Sequence, residues 1–327
     1  MTKIALILLV AGFRAWAGPV PKPLSPEQVA RLSPVLKGTT AVIVGASRGI
    51  GRSLAFHLCQ LGVRLELVGS NAQNLFELEA DLTGVCPEQT WVRGTRADIS
   101  VEGELARVYS GVFALGHPID WIIHNAAALE DSLLRNMDEQ AMSRLVDTNI
   151  KSVLSTAKFA TGYFQYGARA SDFPGNVTFV SSMAAHQPLV GEVPYGATKA
   201  FMNFIAEGMR AETVVRNRMS VSVVMPGPVD TEMLQKAKKQ RPHAANSVSD
   251  FYFAVSVSPE QVSLKIIENL ARAKRGRAKE WVFPSWREAL FFNLGKISPS
   301  FCHRAIQKFF IEHNGGDLVE YKADSKD

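Results

Sequence analysis

A tyrosine and a lysine that could handle protons stand four residues apart, in the stretch Tyr195-Gly196-Ala197-Thr198-Lys199. On a helix this spacing places both side chains on one face, one turn apart. A lysine ammonium close to a phenol stabilises the phenolate and lowers the pKa of the tyrosine. Such a pair could give or take a proton at neutral pH. The same spacing also fits an exposed pair on an amphipathic helix. Other residues must therefore decide between a catalytic pair and a surface pair.

A glycine-rich stretch, Gly45-Ala46-Ser47-Arg48-Gly49-Ile50-Gly51, follows a predicted strand and opens a predicted helix. This context gives the glycines a function, because they permit a tight turn and a close approach of the backbone to a phosphate. The first turn of the helix then supplies free N–H groups and the positive end of its dipole. The stretch predicts a binding site for a dinucleotide pyrophosphate.

Short β-branched runs alternate with amphipathic stretches from residue 40 onward. Strands are predicted at Thr40–Val44, Val63–Val68, Trp91–Arg96, Ile119–His124, Asn176–Ser181, Met219–Met225 and Trp281–Phe283. Helices are predicted at Ile50–Leu61, Asn71–Leu82, Val101–Leu115, Asp138–Tyr166, Tyr195–Val215 and Pro259–Arg272. Because parallel strands need helical crossovers, the pattern predicts an α/β fold with a Rossmann-type, doubly wound parallel sheet of about seven strands. The long stretch Gly227–Val257 is expected to be irregular and to cover the pocket.

Four segments are predicted along the chain: a signal peptide or membrane-targeting segment (1–18), a Pro-rich linker (19–37), a Rossmann domain (38–284), and C-terminal aromatic-rich helices with a polar tail (285–327). The first rests on the apolar run Ile4–Phe13 and on Ala15-Trp16-Ala17, although a helix packed on the body remains an alternative. In the last segment, Ser285–Glu288 is a capping box, Gly295 suits a helix end, and a second helix is expected near Ser298.

Further motifs recur in order on the predicted elements: Asp98, His124-Asn125-Ala126-Ala127, Asp147-Thr148-Asn149, Ser181-Ser182, Pro226-Gly227 and Thr231. Together with the glycine stretch and the tyrosine–lysine pair, this order resembles the short-chain dehydrogenases/reductases over residues 38–283. The sequence departs from the family pattern at Val44, His124 and Ala127. The aromatic C-terminal region and the N-terminal apolar run resemble the membrane-associated, 11β-hydroxysteroid dehydrogenase-like members.

The resemblance implies an enzyme that moves a hydride between a nicotinamide and a carbonyl/alcohol pair. Tyr195 is then the general acid or base and Lys199 holds the nicotinamide ribose. Ser182 bonds the substrate oxygen, and Asn149 holds a water that relays protons through Lys199. The expected cofactor contacts are Gly45, Ser47, Arg48, Gly49, Ile50, Gly51, Ser70, Asp98, Asn125, Tyr195, Lys199, Pro226, Gly227 and Thr231.

The end of the second strand, Val68-Gly69-Ser70-Asn71, lacks the carboxylate that NAD enzymes place on the ribose hydroxyls. Arg48 in the glycine stretch could pair with a 2′-phosphate. Both features favour NADP(H) over NAD(H). His186 could line the substrate pocket, although an ordinary polar loop residue is the simpler interpretation.

By resemblance, the substrate is expected to be a lipophilic carbonyl or alcohol such as a steroid or retinoid. The protein is then expected at the endoplasmic reticulum or another membrane of the secretory pathway, as a homodimer formed through the helices Asp138–Tyr166 and Tyr195–Val215. Two alternatives stay open: a soluble, cytoplasmic reductase of small polar or xenobiotic carbonyls, and a cofactor-binding scaffold or redox sensor without turnover.

Composition limits the remaining choices. With 46% hydrophobic and 20% charged residues, the 327-residue chain can bury a sizeable core. The net charge of +5 is not accompanied by a nucleic-acid-binding motif, so no nucleic-acid partner is expected. The three cysteines, Cys59, Cys86 and Cys302, are scattered and predict neither a disulfide framework nor a metal site.

Overall fold

The computed structural model describes residues 20–167, 173–189, 191–213, 218–240 and 256–297; for 237–240 and 297 it describes the backbone alone. Its centre is a parallel seven-stranded sheet in the order β3-β2-β1-β4-β5-β6-β7. The strands are β1 (Thr40–Val44), β2 (Arg64–Gly69), β3 (Val92–Arg96), β4 (Trp121–His124), β5 (Gly175–Val180), β6 (Met219–Val224) and β7 (Trp281–Val282). The predicted Rossmann-type α/β fold is confirmed.

The strand order reverses next to β1, which pairs with β2 on one side and β4 on the other. Every residue of β1 is buried, because helices cover both faces of the sheet. At this reversal Val44 pairs with His124, and the helices that follow these two strands pack on opposite faces of the sheet. Doubly wound sheets bind their ligands at the crevice that this divergence opens.

The helices are α1 (Pro26–Leu36), α2 (Gly49–Gln60), α3 (Ala72–Leu82), α4 (Glu104–Ala114), α5 (Glu139–Val146), α6 (Ser152–Tyr166), α7 (Val193–Thr213), α8 (Glu232–Gln240), α9 (Pro259–Lys274) and α10 (Trp286–Ile297). Helices α1, α2, α3 and α9 share a buried apolar cluster on one face of the sheet. Helices α4, α6 and α7 share the cluster on the other face. The two layers together fix the strand ends on which the candidate site is built.

The predicted helix 138–166 is interrupted by a π-helical turn, Asp147–Lys151, between α5 and α6. Such turns insert one extra residue and often mark functional sites. Here the turn contains Asn149, which is almost fully buried. The alternation of apolar residues could not reveal the turn, because it changes the helix phase by only one residue.

The expected linker 19–37 differs in the structure, because its second half forms α1. Ser25 and Gln28 make a capping box at the start of this helix, and Leu32 and Leu36, one turn apart, are buried against the body. The preceding chain is also tied down, since the Leu24 N–H donates to Gln60 Oε1 at 2.9 Å. Burial of these leucines outweighs the tendency of the prolines to keep the segment extended.

Cys59 and Cys86 form a disulfide, which the sequence did not predict. Cys59 lies near the end of α2 and Cys86 in the loop after α3, with their Cα atoms 4.9 Å apart. Both helices run antiparallel to the strands of the sheet. Their ends therefore lie at the same edge of the sheet, close to each other. The spacing along the chain carries no sign of this contact, which is why the scattered cysteines did not predict a disulfide.

The segment 227–257 is not irregular throughout, because it contains α8. Its two ends are joined: the Val257 N–H donates to Pro228 O at 3.0 Å and the Asp230 N–H donates to Val257 O at 3.1 Å. Gly295 does not end α10, which continues to Ile297; a Cβ at this glycine would lie 3.2 Å from Gln187 Nε2, so close packing explains it better.

Several predictions fall outside the described residues: the segment 1–18, the end of the helix at Val215, the middle of the pocket cover, and the helix expected near Ser298. Within the described ranges, no helix has the length and apolar character needed to cross a membrane.

Candidate active site

One pocket of about 1030 Å³ opens at the carboxyl edge of the sheet, around the reversal between β1 and β4. Most of the residues assigned to the site from the sequence line it: Gly45, Ser47, Arg48, Gly49, Ile50, Ser70, Asp98, Asn125, Ser182, Tyr195, Lys199, Pro226, Gly227 and Thr231. Gly51 and Asn149 do not line the pocket and lie behind the residues that do. The structure thus gathers residues from the whole length of the sheet into a single cavity.

The glycine stretch forms a tight turn between β1 and α2. Gly45 has a φ of +83°, which side chains disfavour, and its carbonyl accepts a 2.8 Å hydrogen bond from Asn125 Nδ2. A Cβ at Gly51 would lie 1.9 Å from Gly45 O, so only glycine allows α2 to approach the turn. Arg48 occupies the N-cap and makes no side-chain capping bond, which leaves the first N–H groups of α2 facing the pocket. This arrangement fits a bound pyrophosphate.

Tyr195 and Lys199 lie on one face of α7, as predicted, and both are buried. Lys199 Nζ lies 5.6 Å from the centroid of the Tyr195 ring and donates to Val180 O at 2.8 Å. Burial lowers the pKa of Lys199 to about 7. The ammonium is therefore held against the end of β5 and directed towards the tyrosine side of the pocket.

The pKa of Tyr195 is raised, which corrects the expectation of a lowered value. Burial is the largest cause, the charge of Glu192 adds to it, and a hydrogen bond with Ser182 opposes both. The expectation considered only nearby positive charge, from Lys199 and from the oxidised nicotinamide, whereas loss of water around the phenol dominates in this pocket. In the protein by itself Tyr195 is a protonated phenol at neutral pH.

The two serines after β5 have different surroundings. Ser181 is buried, and its hydroxyl donates to the main-chain carbonyl of Lys199 at 3.3 Å. Ser182 is only partly buried, hydrogen-bonds Tyr195, and accepts from the Ala184 N–H at 3.1 Å. The Ala184 bond orients the Ser182 hydroxyl beside the phenol, so Ser182 and Tyr195 can address the same substrate atom.

Asn149 joins two parts of the site through its amide. Its Oδ1 accepts from the Ala128 N–H at 2.7 Å, and its Nδ2 donates to Ala128 O at 2.8 Å and to Thr198 Oγ1 at 3.0 Å. Both side-chain hydrogens are thus used within the protein. The amide fixes the loop after β4 against the residue that precedes Lys199, which makes Asn149 a positioning residue.

His124, one of the departures from the family pattern, is fully buried beneath the site. Its Nδ1 lies 2.9 Å from Thr156 Oγ1 and its Nε2 lies 3.3 Å from Ser152 Oγ. Ser152 in turn donates to the carbonyl of Thr148, in the π turn. Burial, and secondarily the charge of Lys199, lower the pKa of His124 to about 3, so the ring is neutral. The sequence marked this residue as unusual but gave no sign of its partners.

Charged residues meet at the outer end of the pocket; the sequence indicated Arg48 and Asp98 but gave no sign of Glu232 or the neighbouring Arg96. Arg48 Nη1 lies 3.1 Å from Glu232 Oε2, at the start of α8. Arg96 donates from Nε to the carbonyl of Ser70 at 3.2 Å, which places a second guanidinium at the end of β2. Asp98 accepts from the N–H and hydroxyl of Ser100. No carboxylate stands at the end of β2, in agreement with the sequence.

The inner end has a mainly apolar wall that the sequence did not assign. Its apolar members are Leu129, Met183, Leu189, Met233, Leu234 and Phe291, and its polar members are Gln187, Glu192, Lys236, Arg287 and Glu288. They come from four separate stretches of the chain with no shared motif, so only the fold shows that they meet. His186 is not among them: its ring packs edge-on against Phe292, with the centroids 4.6 Å apart. Among the described residues no cluster could hold a metal ion.

The model of the short chain dehydrogenase family matches residues 39–242. An uncharacterized oxidoreductase of Staphylococcus epidermidis is 26% identical over 232 residues, which cover 70% of this chain and 95% of the relative. A farnesol dehydrogenase of Aedes aegypti is 28% identical over 228 residues, which cover 67% and 88%. A solved 7beta-hydroxysteroid dehydrogenase superposes with a TM-score of 0.67 at 19% identity, covering 83% of this chain and 97% of that one.

The family match covers the glycine turn, β1 to β6, and the tyrosine–lysine helix. Its members are oxidoreductases that use a nicotinamide cofactor, and the fold and pocket described above fit that chemistry. The chain belongs to the short-chain dehydrogenase/reductase family.

Proposed function

We propose that the protein is an NADPH-dependent reductase of a lipophilic ketone or aldehyde, with Tyr195 as the proton donor. The observation that carries this proposal is the convergence of Ser182, Tyr195 and Lys199 on one wall of the pocket whose other end is the glycine turn. A bound NADPH would supply the hydride. The glycine turn, the first turn of α2 and the Lys199 side chain are the groups that would hold it.

The side chains of the site suit the reductive direction. A carbonyl that receives a hydride also needs a proton on its oxygen, and Tyr195 is held as a neutral phenol by burial and by Glu192. Ser182 can donate a hydrogen bond to the same oxygen. After transfer, the ammonium of Lys199 stabilises the phenolate that remains. Asn149 holds α7 and the loop after β4 in fixed positions during the proton transfer, through its bonds to Ala128 and Thr198.

The preference for NADPH is supported by charge. The ribose hydroxyls would lie at the end of β2, where Ser70 and Asn71 stand in place of a carboxylate. Arg96 borders Ser70 and Arg48 borders the same end of the pocket. Two guanidiniums, together with the lack of a carboxylate at Ser70 and Asn71, favour a 2′-phosphate over a free hydroxyl.

The lipophilic substrate is supported by the apolar inner wall and, more distantly, by the farnesol dehydrogenase relative. The charged residues Lys236 and Arg287 are exposed at the mouth, so a polar carbonyl remains the second candidate. A membrane-associated homodimer of the secretory pathway also remains a proposal. For the dimer, the support is the exposure of Phe204 on α7 (75%) and Leu154 on α6 (44%).

The test is oxidation of NADPH and NADH by the purified full-length protein with steroid, retinal and small aromatic carbonyls. Tyr195→Phe is expected to lower kcat by at least about 100-fold, while Tyr166→Phe, at an exposed tyrosine outside the pocket, retains activity. Turnover that survives Tyr195→Phe contradicts the assigned proton donor. NADPH binding without turnover of any carbonyl favours the scaffold or sensor alternative, and faster turnover of small polar carbonyls favours the soluble reductase.

A further inference from the structure

An ion pair joins the glycine turn to the start of α8 beside the pocket. Arg48 Nη1 lies 3.1 Å from Glu232 Oε2, with both side chains about 40% exposed (37% and 41%). The contact between the two segments continues next to it, because a Cβ at Gly49 would lie 3.0 Å from Thr231 Cγ2. The start of α8 therefore rests directly on the turn that should hold the pyrophosphate.

Arg48 is also held from the opposite side. With its amide oxygen turned towards the guanidinium, Asn74 accepts from Arg48 Nη2 at 2.8 Å and from Nε at 3.1 Å. Asn74 is buried in the first turn of α3, and its N–H is capped by Asn71 Oδ1 at 3.0 Å. Nε and Nη2 thus face α3, and Nη1 faces the carboxylate of Glu232.

We propose that Glu232 determines cofactor selectivity as an internal anion that competes with the 2′-phosphate of NADPH for Arg48. This inference rests on the proposed NADPH preference and adds a residue that opposes it. A phosphate with a charge near −2 at neutral pH is a stronger partner for a guanidinium than a carboxylate is. NADPH therefore displaces Glu232, whereas an unphosphorylated dinucleotide leaves the pair intact.

Two consequences follow from the position of the pair. NADPH binding includes the cost of separating Glu232 from Arg48, so the selectivity for NADPH is lower than the two arginines would give alone. Separation also frees the start of α8, which lines the same pocket as Tyr195 through Met233 and Leu234. The dinucleotide that is bound therefore affects the position of Met233 and Leu234 at the substrate end of the pocket.

The experiment measures binding of 2′,5′-ADP and 5′-ADP to the full-length protein by calorimetry, so that no turnover is needed. Glu232→Gln keeps the shape and removes the charge; it is expected to tighten 2′,5′-ADP binding about two- to fivefold, the range for an exposed ion pair. Binding of 5′-ADP should stay within a factor of two. Asp230→Asn is the matched control, since it removes a nearby charge that does not contact Arg48 and should change neither affinity.

The second arm is the background Arg48→Gln, in which Glu232→Gln should no longer change the affinity for 2′,5′-ADP. Equal tightening of both ligands, or an effect that persists without Arg48, overturns the competition. Unchanged 2′,5′-ADP binding in Glu232→Gln also overturns it. If the parent binds both ligands equally well, the proposed NADPH preference fails instead, and the two failures are thereby distinguished.

Discussion

The ammonium of Lys199 donates a 2.8 Å hydrogen bond to the carbonyl of Val180, the last residue of β5. This bond holds a buried cation at the strand end that also carries Ser182. Burial lowers the pKa of Lys199 to about 7, so the charged form of this amine is destabilised in the folded protein at the place where the proposed chemistry needs its charge.

Lys199→Met is expected to abolish activity and to stabilise the fold at neutral pH. In the unfolded chain the amine keeps its proton up to a pH of about 10.4, whereas the folded protein releases it near pH 7. Between these values the unfolded state binds more protons, so the stability of the parent rises with pH. Denaturant unfolding of both proteins at pH 7 to 10 measures this. The advantage of the variant should shrink as pH rises, and a constant difference would contradict the lowered pKa.

Glu192→Gln is expected to shift the pH dependence of catalysis to lower pH. The charge of Glu192 contributes to the raised pKa of Tyr195, so its removal should lower that pKa. Tyr195 then changes from phenol to phenolate at a lower pH. The rate of reduction should fall, and the rate of oxidation should rise, at a lower pH than in the parent. Profiles of kcat in both directions test this. Glu207→Gln, at an exposed position of α7, is the control and should leave the profiles in place.

His124 is expected to stabilise the π turn. His124→Ala leaves the hydroxyls of Ser152 and Thr156 without their ring partners and opens a cavity, at a cost of about 2–4 kcal/mol. His124→Asn keeps a polar group there and should lose less. If the role is positioning, kcat falls in both variants while the KM for NADPH changes little. A variant with parental kcat and parental stability would contradict the role.

The same histidine makes the fold sensitive to acid. As pH falls from about 6.5, the ordinary pKa of histidine, to about 3, the unfolded chain takes up a proton that the folded protein refuses. His124 therefore destabilises the folded state progressively across this window. The difference in unfolding free energy between parent and His124→Asn should change in favour of the variant as pH decreases, measured by urea unfolding.

The disulfide between Cys59 and Cys86 is expected to contribute about 3.5 kcal/mol to stability, as estimated for a closed loop of this length. Cys86→Ser should lower the unfolding midpoint, and mass spectrometry without reductant should show the bridged peptides only in the parent. Cys302→Ser removes the third cysteine and is the matched control. Equal midpoints of parent and Cys86→Ser in the absence of reductant would show that the bridge does not form in solution.

The sequence predicted well those parts of the site in which a local pattern determines the local structure. The glycine turn is one example, because Gly45 and Gly51 are needed where chain direction and helix approach leave no room for a Cβ. Tyr195 and Lys199 are another, since one helical turn separates them in any surroundings. In both cases the relevant neighbours lie within a few residues along the chain.

The parts that the sequence missed depend on contacts between distant segments. Glu232 meets Arg48 only because the segment after β6 folds back over the glycine turn, and Asn74 faces the same guanidinium from α3. The pKa of Tyr195 was mispredicted for the same reason: its burial is produced by walls from several segments, whereas Lys199 is visible from spacing alone. The π turn at Asn149 escaped because periodicity does not resolve a shift of one residue.

The hydrogen bonds between Val257 and the chain at Pro228 and Asp230 join the two ends of the segment 228–257. Since both ends are fixed at one point, the length of chain between them can change at small entropic cost and without disturbing β6 or α9. We therefore expect that residues between these anchors can be exchanged while the surrounding sheet and helices are kept. Such exchange would alter the substrate range and leave in place the residues proposed for hydride and proton transfer.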